Sequence, residues 1–262
     1  MIIAMNRINA LMSSRKEGIL SVFFTAGFPA LDKTVQIARA LENAGVDLIE
    51  IGVPFSDPVA DGPVIQESNK LALENGVTVR LVLEQVTEIR RHIKIPIILM
   101  GYVNPILQYG FEKFCADASK AGADGLILPD LPLEVYERKF QSSVTAAGLL
   151  NILLISPTTS DERIRRIDAV SEGFIYAVAA SSTTGVREGF SAEQVEYFER
   201  LKSMNLRNPL LAGFGISNAE TFQTACRYTA GAIVGSAFIK MIKTSIDIDA
   251  DVKKFVSNLK GL

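Results

Sequence analysis

Eight short apolar runs, each followed by an amphipathic stretch of helical period, constrain this chain more than any other feature. They lie at 20–25, 47–51, 96–100, 125–129, 151–156, 174–178, 209–213 and 232–235, and they are near-continuously apolar. A strand covered on one face alternates apolar with polar residues; a parallel strand flanked by helices on both faces does not. The joints repeat as well. Ala44-Gly45, Ala121-Gly122, Ala147-Gly148 and Ala230-Gly231 each end an amphipathic stretch just before a strand, where glycine takes the left-handed C′ conformation at no Cβ cost. Helices are expected to begin near Leu31, Thr78, Gly110, Leu133, Ser160, Ser191 and Ser217, several with a Ser or Thr able to cap free N–H groups. Eight βα units read as a single (β/α)₈ TIM barrel, one domain over residues 1–262 with an extra N-terminal helix. A doubly wound open sheet is the alternative that the repeat alone leaves open.

Length agrees with this, since 262 residues with 48% hydrophobic content suffice for one large core. With 27 basic against 29 acidic residues and a net charge of -2, no basic field is available for nucleic acid or an anionic membrane, and neither is expected as a partner. No run of 18 apolar residues suggests a membrane span. The apolar opening, residues 1–5, is too short for an export signal, and Met5 is an alternative start. Cys115 and Cys226 are too few for a disulfide framework and lack zinc-site spacing, which suits a cytoplasmic location.

Chemistry in a barrel sits at the C-terminal ends of the strands, so long connections there are candidate lids and partner surfaces. Two stand out, at 52–77 after strand two and 179–190 after strand six. Glu50 lies inside the apolar strand preceding the first, where burial pushes a carboxyl upward toward the range of a usable acid or base. Its bland alternative is a wall carboxylate paired with a lysine or arginine. Asp61, alone, reads better as the start of a structural Asp-Gly-Pro turn. Gly213-Phe214-Gly215 and Gly235-Ser236 follow the last two strands, the usual phosphate position of this fold. Taken singly, each glycine pair reads as well as close strand-to-helix packing. The one histidine, His92, follows Arg90-Arg91 near a helix C-terminus, where positive charge is favourable, and is not expected in the site. Proton transfer is left to carboxylates and tyrosines.

The segment Leu48-Ile49-Glu50-Ile51-Gly52-Val53-Pro54-Phe55-Ser56-Asp57-Pro58-Val59-Ala60-Asp61-Gly62-Pro63 resembles the signature of tryptophan synthase alpha chains. The resemblance extends along the chain through Phe24-Thr25-Ala26-Gly27, Gly101-Tyr102-Val103-Asn104-Pro105-Ile106, Leu128-Pro129-Asp130-Leu131-Pro132, Thr184-Gly185, Gly213-Phe214-Gly215-Ile216 and Gly235-Ser236-Ala237. It implies retro-aldol cleavage of indole-3-glycerol phosphate to indole and glyceraldehyde-3-phosphate. On that resemblance Glu50 shuttles protons and Asp61 accepts a hydrogen bond from the indole N–H. Tyr102 and Tyr176 match positions lining the substrate pocket, Phe23, Met100 and Phe214 would flank the indole ring, and Thr184 with Gly185 would close over a phosphate held by Gly215, Gly235 and Ser236. Core packing remains an alternative for these aromatic and apolar residues. No metal or cofactor is implied, pyridoxal phosphate being expected only in a beta-subunit partner joined in an α₂β₂ complex.

Two other classes compete. A related phosphate-binding barrel with other chemistry would place a lysine or cysteine at a strand end, and a non-catalytic subunit would have lost Glu50 or Asp61; neither description fits. The chain departs from the family pattern at Ala179-Ala180-Ser181-Ser182-Thr183-Thr184-Gly185, where relatives commonly carry a larger residue and Gly-Val-Thr-Gly, and at Phe28, where aspartate is common. Pro54, Phe55, Asp57 and Pro58 are expected to form an exposed docking surface.

Overall fold

The computed structural model describes residues 5–178, 190–213 and 215–262. Its strands are β1 Ile19–Thr25, β2 Leu48–Gly52, β3 Ile97–Met100, β4 Gly125–Ile127, β5 Leu150–Ile152, β6 Leu154–Ile155, β7 Ile175–Val178, β8 Leu210–Gly213 and β9 Gly231–Val234. All pairings are parallel, in the order β5-β4-β3-β2-β1-β9-β8-β7-β6. The expected strand 151–156 is therefore two pieces. β5 pairs with β4 and β6 with β7, while the intervening Leu153 carbonyl still accepts from Tyr176 N–H at 2.9 Å. The two ends of the sheet are thus joined through one residue of chain, and the strands form eight staves of a (β/α)₈ barrel rather than an open sheet.

Strand side chains divide by parity, as the two-residue period requires. Inward-facing Ile19, Leu48, Ile98, Ile127, Ile152, Phe174, Leu211 and Ile233 fill the barrel, and a second, larger cluster packs strands against helices. The N-terminal helix Arg7–Ser14 closes the bottom, inserting Ile8 and Met12 into the inner cluster. Asn6 caps that helix through Ile8 N–H at 2.9 Å and donates to the carbonyls of Asp124 and Gly148. Asp124, buried, accepts from Arg7 at 2.9 Å, Arg90 at 3.0 Å and Ile97 N–H at 2.8 Å. A buried carboxylate needs such partners, and here they all lie at the end opposite the candidate site.

Helix starts at Thr78, Gly110, Leu133, Ser160 and Ser191 fall where the sequence puts them, and Thr78, Ser160 and Ser191 cap with their hydroxyls. The start expected at Ser217 lies one residue on, at the cap Asn218, and that near Leu31 at the cap Asp32. Two readings need correction. The connection 52–77 is no open loop, because the helix Pro63–Glu74 occupies half of it. Of the four Ala-Gly joints, Gly45, Gly122 and Gly148 take φ of 85°, 101° and 71°, but Gly231 opens β9, where any Cβ would strike the Ile19 carbonyl of β1. That glycine serves close strand approach instead of helix termination. No helix among the described residues is long and apolar enough to cross a membrane.

Candidate active site

Glu50 is the central residue of β2, in register with Phe23 of β1 and Ile98 of β3. That parity turns its side chain into the barrel, where it is fully buried. Oε1 accepts from Ser21 Oγ at 2.7 Å; Oε2 is buried without a partner among the described residues. No lysine or arginine pairs with it among the described residues, so the wall-carboxylate alternative belongs to Asp124, not Glu50. Burial, only partly offset by the Ser21 hydrogen bond, raises the Glu50 pKa to about 7.

Asp61 reaches the same mouth from the segment after β2. Tyr102, just past β3, donates from Oη to Asp61 Oδ2 at 3.2 Å and accepts from Ala60 N–H at 3.0 Å. Gln66 Nε2 holds the Asp61 carbonyl at 2.9 Å, and Asp61 N–H bonds the Pro58 carbonyl at 3.0 Å, so the turn reading holds alongside. Burial raises the Asp61 carboxyl to about 6 against the Tyr102 bond, and burial together with the nearby Asp61 carboxylate pushes the Tyr102 phenol upward.

Two aromatic rings complete the wall, each resting on a glycine. A Cβ on Gly52 would stand 2.7 Å from the Phe23 ring, and one on Gly213 would overlap the Tyr176 phenol. Phe23 also borders Gly235, and Met100 neighbours Gly52 in register. Tyr176 lies within β7 rather than at its end, and feels the charges of both Glu50 and Asp61. Phe23, Glu50, Asp61, Met100, Tyr102, Tyr176, Gly213 and Gly235 are thus brought to one end of the barrel. Gly235 precedes the helix Ser236–Lys243, which has no side-chain cap, leaving its first N–H groups for a ligand. Gly215 takes φ 81°, and a Cβ there would meet the Phe190 ring at 4.0 Å. Thr184, Gly185 and Phe214 lie outside the described residues.

The expected docking surface is smaller than the sequence suggests. Pro54 and Pro58 are buried and Phe55 is half-buried against Tyr102, with ring centroids 5.2 Å apart; the large apolar side chain exposed there is Val59, 76% accessible. A rigid turn folds its prolines inward to pack. His92 bonds Glu88 at 2.9 Å, away from the mouth, and Cys115 is buried while Cys226 is half-buried. Among the described residues no group of three or more His, Cys, Asp or Glu could hold a metal.

Sequence reasoning missed the supports. Ser21 Oγ on Glu50 was signalled by a polar residue at inward parity in the middle of an apolar strand. Asn69, buried on the helix Pro63–Glu74, accepts from Phe55 N–H at 3.0 Å and donates to Ile65 O at 2.9 Å, while Ser68 meets Thr25 at 2.7 Å. Together they fasten the segment carrying Asp61 to its helix and to β1.

An eight-staved barrel with two carboxyls raised toward neutrality at its mouth defines a barrel enzyme equipped for acid–base chemistry. Its family follows from comparison with known proteins. The sequence model of the tryptophan synthase alpha chain family matches residues 9–261. The chain is 53% identical over 255 residues to the tryptophan synthase alpha chain of Flavobacterium psychrophilum, covering 97% of this chain and 100% of the relative. It is 50% identical to that of Parabacteroides distasonis, over 98% and 100%. The crystal structure of the alpha subunit from Legionella pneumophila superposes with a TM-score of 0.88 at 36% identity, over 98% of both chains. Tryptophan synthase from M. tuberculosis in an aminoacrylate-bound form gives 0.85 at 28% identity, again over 98% of both. The chain belongs to the tryptophan synthase alpha chain family and is a lyase of that family.

Proposed function

We propose that the chain cleaves indole-3-glycerol phosphate to indole and glyceraldehyde-3-phosphate, with Glu50 moving the protons and Asp61 stabilising the ring. The observation carrying this reading is the state of Glu50: one oxygen is held by Ser21, the other is buried with no partner among the described residues, and burial raises the group to about 7. A carboxyl so placed both gives and takes a proton at ordinary pH.

The chemistry is balanced by two carboxylates. Glu50 delivers a proton to indole C3, which tautomerises the ring to an indolenine and places positive character on its nitrogen. Asp61, as carboxylate, accepts the N–H hydrogen bond and stabilises that charge. Glu50, left as the carboxylate, takes the proton of the side-chain C3′ hydroxyl; the C3–C3′ bond then breaks, its electron pair returning to the ring as the aldehyde forms. The ring itself is the electron sink, so no cofactor is proposed for this chain. Phe23, Met100, Tyr102, Tyr176 and Phe214 flank the indole, and Tyr102 aims Asp61. The phosphate sits on backbone N–H groups at Gly215 and at the helix start after Gly235, with Ser236 adding its hydroxyl and Thr184 and Gly185 closing above.

We extend the proposal to assembly. A beta-subunit partner carrying pyridoxal phosphate would consume the indole in an α₂β₂ complex, docking on the rim around Asp57 and Val59. Glu50→Gln preserves shape while removing the titrating group. Release of glyceraldehyde-3-phosphate, followed in a coupled dehydrogenase assay with and without a beta subunit, is expected to fall by at least about a hundredfold. Near-wild-type turnover in that variant rejects the reading.

A further inference from the structure

We propose that Ser21 is a positioning residue for the reaction: by donating to one oxygen of Glu50 throughout the cycle, it makes Oε2 the single oxygen through which every proton passes. This deepens the proposed proton-shuttle role of Glu50 and rests on it.

The residue type is the first observation. Ser21 shares inward parity with Ile19 on β1 and pairs in register with Ile233 of β9 and Leu48 of β2, both inner-cluster residues. Packing alone would place another aliphatic side chain here, since an unbonded buried hydroxyl is costly. Ser21 is fully buried, and its one side-chain hydrogen bond among the described residues is to Glu50 Oε1, at 2.7 Å.

The second observation is the asymmetry this bond imposes. A carboxylate accepts on both oxygens; a carboxylic acid accepts on its carbonyl oxygen and donates from the other. With Ser21 donating to Oε1 in both states, Oε1 stays the acceptor and the proton resides on Oε2, which is buried with no partner among the described residues. The oxygen that takes a proton from substrate is then the one that returns it, so the carboxyl need not rotate between the two transfers. Without the serine, protonation on either oxygen becomes equivalent, and half of the protonated population presents a carbonyl where a donor is required.

The titratable groups facing Glu50 are few. Tyr176 approaches from β7 and Asp61 from the segment after β2, the latter held by Tyr102 from beyond β3, and no cation joins them among the described residues. Ser21 is therefore the main group favouring the Glu50 carboxylate, and its removal shifts that ionisation upward.

Ser21→Ala and Ser21→Cys test this, the thiol being a near-isostere and a weak donor. Ser21→Ala is expected to lower kcat about tenfold with KM little changed, and to move the kcat pH profile upward by about one pH unit. Ser21→Cys falls between it and wild type. An independent readout is the infrared band of the protonated Glu50 carbonyl, isolated by subtracting Glu50→Gln: losing the Ser21 bond shifts it to higher wavenumber. A folded Ser21→Ala with unchanged pH profile and kcat, in a background where Glu50→Gln is inactive, overturns the inference alone. An active Glu50→Gln overturns the catalytic reading itself. A Ser21→Ala that loses kcat with no change in pH profile or carbonyl band reports packing and also overturns it.

Discussion

Glu50 should weaken the fold that carries it, by an amount the structure sets. Its carboxyl rises from an ordinary 4.5 to about 7 on burial. Between those values the unfolded chain releases the proton and the folded chain keeps it, so stability falls as pH rises through that window. At about 1.4 kcal/mol per pH unit the full penalty is about 3 kcal/mol, complete above pH about 7 and absent below about 4. Glu50→Gln keeps an acceptor for Ser21 and does not ionise, so it escapes the penalty. The stability difference between variant and wild type should grow by about 2.5 kcal/mol in the variant's favour between about pH 5 and pH 8. Equilibrium urea titrations of both proteins at the two pH values measure it, every other titrating group cancelling in the comparison. A difference that stays constant within about 1 kcal/mol would show that Glu50 is ionised at its ordinary pH in the folded chain, and the argument from burial would fail.

Tyr102→Phe removes the hydrogen bond that favours ionised Asp61, so the acid limb of the pH–rate profile, expected near the Asp61 value of about 6, should move upward and kcat fall about tenfold; an unmoved limb would show Asp61 oriented by something else. Asp61→Asn should cut kcat by at least about a hundredfold, whereas a rise in KM alone, read from steady-state kinetics, would reduce its role to placement. Gly235→Asp sets a carboxylate at the proposed phosphate site and should raise KM more than about tenfold in a protein whose circular dichroism is unchanged; an unaltered KM puts the phosphate elsewhere. Gly213→Ala should force the buried Tyr176 off its seat, raising KM and lowering the melting temperature, and wild-type kinetics and stability would mean the ring yields freely.

Periodicity exposed the staves because both-face burial leaves an unbroken apolar trace, and it exposed Glu50 because a carboxylate interrupts that trace. The helix Pro63–Glu74 was obscured by the turn-like Asp61-Gly62-Pro63, although proline at a first helical position is a start signal and Val64, Ser68 and Leu71 recur at helical spacing. The helix Val103–Tyr109 was obscured in the same way by Pro105. The break at Leu153 left no mark, since Asn151–Ser156 reads as one apolar run and only pairing with two different neighbours divides it. Asp61 needed its tertiary neighbour Tyr102, 41 residues away, to become more than a turn residue. Partners that distant in sequence leave no local pattern.

The rings of Phe23 and Tyr176 rest where Gly52 and Gly213 carry no side chain, and this fixes the order in which the pocket can be rebuilt. A change at either glycine meets an aromatic already in place, so it arrives as a collision whatever its later contribution. A change that shortens Phe23 or Tyr176 first opens room, and only then does a side chain on the facing strand become tolerable. Paths toward a substrate of different width therefore run through the large residue before the small one, and the reverse sequence of the same two substitutions is closed at its first step. Libraries that randomise 52 or 213 alone would sample almost nothing; pairing each with 23 or 176 makes the same positions productive.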